Sequence, residues 1–87
     1  LNVKIPIEIA QRLDDSGELN PDYMTSFIVA NLDYASTVKD KTVGGLTYNY
    51  TFKVPAPLHK AIKLKAIELD LPMNEIIGRL LAYYYKR

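Results

Sequence analysis

From Thr47 to Val54 the chain alternates, with Tyr48, Tyr50, Phe52 and Val54 on one side and Thr47, Asn49, Thr51 and Lys53 on the other. A period of two in a β-rich composition predicts a strand with one buried face. Pro55 and Pro57 end it, because proline cannot donate to a ladder and its fixed φ suits the first turn of a helix. Leu58, Ile62, Ala66 and Leu69, with Ala61 beside them, then recur at helical spacing, while Lys60, Lys63 and Lys65 fall mostly elsewhere. This predicts a helix from about Pro57 to Leu69. Asp70-Leu71-Pro72 breaks the pattern. A second apolar stripe of Met73, Ile76, Ile77, Leu80, Leu81 and Tyr84 predicts another helix to about Tyr85, with Pro72 and Glu75 as start signals.

The first half repeats the scheme in weaker form. Asn2 to Ile5 reads as a short strand stopped by Pro6, and Ile9, Ala10 and Leu13 begin a helix that Ser16-Gly17 ends early. Asn20-Pro21-Asp22 is a turn and cap, after which Tyr23 to about Tyr34 forms a helix around Met24, Phe27, Ile28 and Leu32. Residues 35–46 contain Ser, Thr, alternating charge and Gly44-Gly45 without an apolar period, and read as a linker.

The two halves are related by an offset of 49 positions. Val3-Lys4-Ile5-Pro6 returns as Phe52-Lys53-Val54-Pro55, and Met24, Ile28, Leu32 and Tyr34 return as Met73, Ile77, Leu81 and Tyr83. Each half is below the size at which a chain buries a sufficient core alone, so the two must share one. A lone short strand is also unstable, whereas two copies can pair antiparallel. That pairing places Asn2 near Thr51. The expected fold is a single domain over residues 1–87, mostly α with a short β-ribbon, in the order β-α-α-linker-β-α-α: a first unit at 1–34, the linker at 35–46 and a second unit at 47–87.

Charge separates the halves. Residues 1–38 carry two basic and six acidic side chains, a net of −4, and residues 39–87 carry nine and four, a net of +5. A basic half points to a polyanion partner. The chain has no cysteine, which removes disulfides, thiolate metal sites and a cysteine nucleophile. Together with the lack of any apolar run of about 18 residues, this leads us to expect a soluble cytoplasmic protein with no membrane association.

Asn49-Tyr50-Thr51-Phe52-Lys53-Val54-Pro55 and Leu71-Pro72-Met73-Asn74-Glu75-Ile76-Ile77 resemble the strand and the helix-helix turn of the ribbon-helix-helix family of DNA-binding proteins, the Arc and MetJ repressor type. The resemblance covers nearly all of residues 47–85 and, more loosely, residues 2–34. It implies a tandem pseudo-dimer, with both units in one chain where ordinary members are homodimers of one unit. It also implies a prokaryotic, archaeal or phage source and a role as a transcriptional repressor of double-stranded DNA.

Carried over by position, the resemblance makes Asn2, Lys4, Asn49, Thr51 and Lys53 the base-contacting residues of a ribbon in the major groove. The residue types suit base reading, since Lys donates to guanine, Asn bonds adenine in bidentate fashion, and Thr offers a hydroxyl and a methyl. A solvated outer strand face would carry similar residues. In this family the start of the second helix presents backbone N–H groups to a DNA phosphate, which assigns that role to Met73 and Asn74 and, in the first unit, to Met24 and Thr25. Lys60 and Lys63, early in the helix after the strand, are further phosphate candidates.

No cofactor or metal is expected. His59 stands alone without a coordination set, and Asp14-Asp15-Ser16-Gly17-Glu18 lacks the ligand spacing of a calcium loop. No catalytic constellation is present, so an enzyme is not expected. The alternative is a protein-interaction module, antitoxin-like or a phage-type inhibitor, using the acidic first half. Tyr83, Tyr84 and Tyr85 cannot all face one core, and an exposed member would suit self-association of chains on adjacent sites or a protein partner.

Overall fold

The structure is a computed structural model that describes residues 1–38 and 45–86. Its elements run β1 (Asn2–Pro6), α1 (Ile7–Asp15), α2 (Pro21–Asn31), a 3-10 segment (Leu32–Val38), β2 (Thr47–Thr51), α3 (Ala56–Leu69) and α4 (Met73–Lys86). The molecule is mostly helical, with a two-stranded antiparallel sheet and four α-helices among the described residues. None of its described helices is long and apolar enough to cross a membrane.

β1 and β2 pair with Asn2 opposite Thr51, Val3 opposite Tyr50, Lys4 opposite Asn49, Ile5 opposite Tyr48 and Pro6 opposite Thr47. The antiparallel sense and the Asn2–Thr51 register are those expected from the repeat. Directly opposed residues share a face. One face therefore carries Val3, Ile5, Tyr48 and Tyr50, and the other carries Asn2, Lys4, Asn49 and Thr51. β2 is shorter than the alternating stretch predicts, because it ends at Thr51 rather than running to Val54. Pairing continues one step further through Phe52, whose N–H donates to the Leu1 carbonyl at 3.0 Å.

Val3, Ile5 and Phe52 from the ribbon join Leu13, Met24, Ile28, Ile62, Ile77 and Leu81 from the helices in one core. Residues of both halves interdigitate there, as expected for units too small to bury a core separately. α4 lies against β1 and the 3-10 segment, which makes it the central helix of the bundle.

The helix ends follow local chemistry. α1 stops where Gly17 takes φ +75°, a left-handed conformation open to glycine at little cost. α2 starts two residues before the expected Tyr23, with Pro21 in its first turn and the Asn20 side chain accepting from the Tyr23 N–H at 2.8 Å. α3 ends at Asp70, whose φ of 56° occupies the position where glycine is usual. The expected linker begins as structure. Ala35 and Val38 in the 3-10 segment are buried, so two small apolar residues without helical periodicity still reach the core. Residues 39–44, which include Gly44 of the expected linker, lie outside the described residues.

Candidate nucleic-acid interface

β1 and β2 display Asn2, Lys4, Asn49 and Thr51 as a contiguous polar patch. Asn2, Asn49 and Thr51 are exposed and Lys4 is half-buried, while Val3 and Ile5 between them are fully buried. The strand period produces this division, and the opposite face is held to the core through Val3 and Ile5. Lys53, also exposed, follows two residues after the end of β2.

Lys53 opens a groove of about 710 Å³ that runs along α3, with His59, Lys60 and Lys63 on its wall. Among the described residues no acidic one lines it, so none of them opposes the positive potential of the lysines there. Lys60 lies in the second turn of α3, toward the ribbon. Lys63 lies a turn further on and also borders the cleft at the α3–α4 turn with Asp70, Leu71 and Met73. Sequence reasoning set His59 aside as a lone histidine. The fold instead places it at the junction of the groove and a second cleft that contains Asn2, Pro72, Met73 and Asn74. Its position at the exposed start of a helix just after a strand was the available signal.

That second cleft brings the start of α4 beside the start of β1. Met73 and Asn74 occupy the first turn of α4, where backbone N–H groups have no intrahelical acceptor, while the Glu75 N–H is bonded to the Pro72 carbonyl at 3.1 Å. Glu75 would oppose an anion here, but its carboxylate is paired with Arg79 at 3.3 Å. The Asn74 Oδ1 is buried without a hydrogen-bond partner among the described residues. It is an acceptor, so an anion could meet Asn74 only through a backbone or side-chain N–H.

The corresponding site in the first half differs from expectation. Because α2 begins at Pro21, Met24 lies inside the helix, its side chain is fully buried and its N–H is bonded to the Asn20 carbonyl at 3.0 Å. Thr25 follows it and is half-buried. Met24 and Thr25 are therefore not a helix start, and the N–H groups they were expected to offer are inside α2. The Asn20-Pro21 cap sets the start earlier than the 49-residue repeat alone suggests.

Near the other end of α4, Phe27 meets Tyr84 edge-on with ring centroids 5.5 Å apart, and Tyr84 meets Tyr85 at 4.9 Å. The Tyr23 and Tyr85 hydroxyls are hydrogen bonded to each other. Burial first, then this bond, raises the Tyr85 pKa well above the usual phenol range. Tyr84 is the exposed member of the tyrosine triplet, as one of the three had to be.

Comparison of the chain with protein-family models, with curated proteins and with solved structures finds no match.

Proposed function

We propose that this chain is a sequence-specific DNA-binding transcriptional regulator, a repressor, that lays its two-stranded ribbon in the major groove. In this reading the molecule is a tandem ribbon-helix-helix pseudo-dimer in which one polypeptide supplies both strands. The observation that carries it is the outward ribbon face, where Asn2, Lys4, Asn49 and Thr51 stand together on the side away from the buried Val3 and Ile5. A groove about 12 Å wide admits such a ribbon and shows each base pair a distinct set of donors and acceptors. Asn2, Lys4, Asn49, Thr51 and Lys53 then read base edges. Lys60 and the N–H groups of Met73 and Asn74 hold phosphates and set the register without reading sequence. Lys63 sits at the far margin of this contact.

Binding is asymmetric. The second half contributes Lys53, Lys60 and the α4 start, whereas the first contributes Asn2 and Lys4 with an α2 start already closed by its cap. The target is accordingly two unequal half-sites rather than a strict palindrome. Electrophoretic mobility shifts against the DNA upstream of the protein's own gene, with an unrelated duplex as competitor, test the reading. A specific complex that survives competitor supports it. No binding tighter than micromolar at about 50 mM salt, with the fold intact, replaces it with the protein-interaction module.

A further inference from the structure

Two surface grooves of this molecule occupy matching places and carry opposite character. One follows α1 and is lined by Ile7, Ala10, Gln11 and Asp14 together with Leu19 and Tyr48. The other follows α3, and its Ala56, His59, Lys60 and Lys63 are the residues 49 positions further along the chain. At the same offset Asp15 corresponds to Leu64 and Glu18 to Ile67. The helix after each strand thus presents the same surface twice, once acidic and once basic with an apolar margin.

Neither character is spent inside the molecule. Asp14, Asp15, Lys60 and Lys63 have no ion-pair partner among the described residues, since the salt bridges there join Lys65 to Glu68 and Arg79 to Glu75. Arg12, the cation of α1, is turned over the Tyr85 ring at 5.1 Å from its centroid and leaves the Asp14–Asp15 end of the helix negative. On α3, Leu64 and Ile67 are 56% and 68% exposed, an unusual outlay of large apolar side chains beside two lysines. On α1 the groove offers Ile7, Leu19 and the exposed ring of Tyr48 as apolar counterparts.

We infer that the α1 groove of one copy docks on the Lys63, Leu64 and Ile67 end of the α3 groove of another, head to tail. The occupant is a second copy because each molecule holds both complementary halves of the contact. Such a contact is heterologous, so a row of chains keeps one acidic and one basic groove free at its two ends until the rotation between neighbours brings those ends together. The charges supply orientation and salt sensitivity, and the apolar margins supply the burial. Lys53 and Lys60, nearer the ribbon, remain available to DNA while Lys63 faces the neighbour. Association is a property of the protein alone and does not require the DNA-binding reading.

The test is sedimentation velocity of the full chain, freed of nucleic acid, at about 50 mM and about 500 mM salt, where screening differs several-fold in range. The weight-average sedimentation coefficient should rise with concentration at the lower salt and stay at the single-chain value at the higher. Two variants give each groove the character of its counterpart: Asp14→Lys with Asp15→Leu, and Lys63→Asp with Leu64→Asp. All four positions are exposed, and circular dichroism checks that each variant keeps its fold. Each variant alone should remain a single chain, and an equimolar mixture should associate again, since one then carries two basic grooves and the other two acidic ones. A wild type that stays a single chain up to millimolar concentration at low salt overturns the inference. So does a single variant that associates like wild type, or a mixture that fails to recover association.

Discussion

Tyr23 on α2 and Tyr85 on α4 share a hydrogen bond between their hydroxyls across 62 positions of sequence. The bond ties the aromatic cluster around Phe27 to the last turns of the central helix. Tyr85→Phe should lower stability by about 1 kcal/mol near neutral pH, the usual net worth of such a bond. The sign with pH follows from the raised pKa. An unfolded tyrosine loses its proton near pH 10, while the folded chain still holds it. The contribution is therefore complete below about pH 10 and is lost as pH rises beyond it. Urea unfolding of both proteins from neutral pH upward should show their stability gap narrowing above about pH 10, and a constant gap would contradict this.

Core and surface apolar residues should separate cleanly. Ile77 is fully buried on α4, and Ile77→Ala should cost about 2–5 kcal/mol. Ile67 is largely exposed, and Ile67→Ala should stay within about 0.5 kcal/mol at low protein concentration. Chemical denaturation at fixed concentration compares the two.

Base reading should be lopsided. Replacing Thr51 or Lys53 with Ala should each cost about 1–3 kcal/mol of specific affinity and relax preference at one half-site. Lys4→Ala should cost less, since Lys4 is half-buried and its unit lacks a basic flank. Competition titrations with duplexes altered in one half-site at a time read this out, and equal losses from both halves would remove the asymmetry.

Phosphate contacts should behave differently from base contacts. Lys60→Ala should reduce the slope of log affinity against log salt by about 0.9 while the preferred sequence stays the same. Lys53→Ala should change the preferred sequence. Fluorescence anisotropy at several salt concentrations with two competing duplexes distinguishes these outcomes.

Periodic segments are legible from sequence and junctions are not. The alternation through Tyr48, Tyr50 and Phe52 and the stripes through Ile62 and Ile77 mark the elements, because burial on one face leaves a repeating trace. The repeat supplies the pairing of Asn2 with Thr51, since neither strand is stable alone. The start of α2 falls earlier than the pattern suggests because a local device, the Asn20 side chain capping Tyr23, outweighs the repeat. Ala35 and Val38 read as linker because a short 3-10 segment buries two small residues without a long enough period to detect. The place of His59 between the two clefts is not legible because it depends on how α3 and α4 pack, which leaves no mark in composition. The outward polar patch is visible as alternation, but its closeness to Met73 and Asn74 depends on how α4 crosses β1, which no local pattern encodes.

β1 and β2 belong to one polypeptide, and this changes how the ribbon responds to dilution. Two strands on separate chains come together only as often as the chains meet, so the intact surface falls with the square of protein concentration once the pair dissociates. Here each strand meets the other at an effective concentration fixed by the connection between them. A single molecule carries a finished ribbon, and its abundance scales directly with the number of copies a cell makes. Covalent joining also removes the demand that one sequence serve both strands, so β1 and β2 are free to differ from one another.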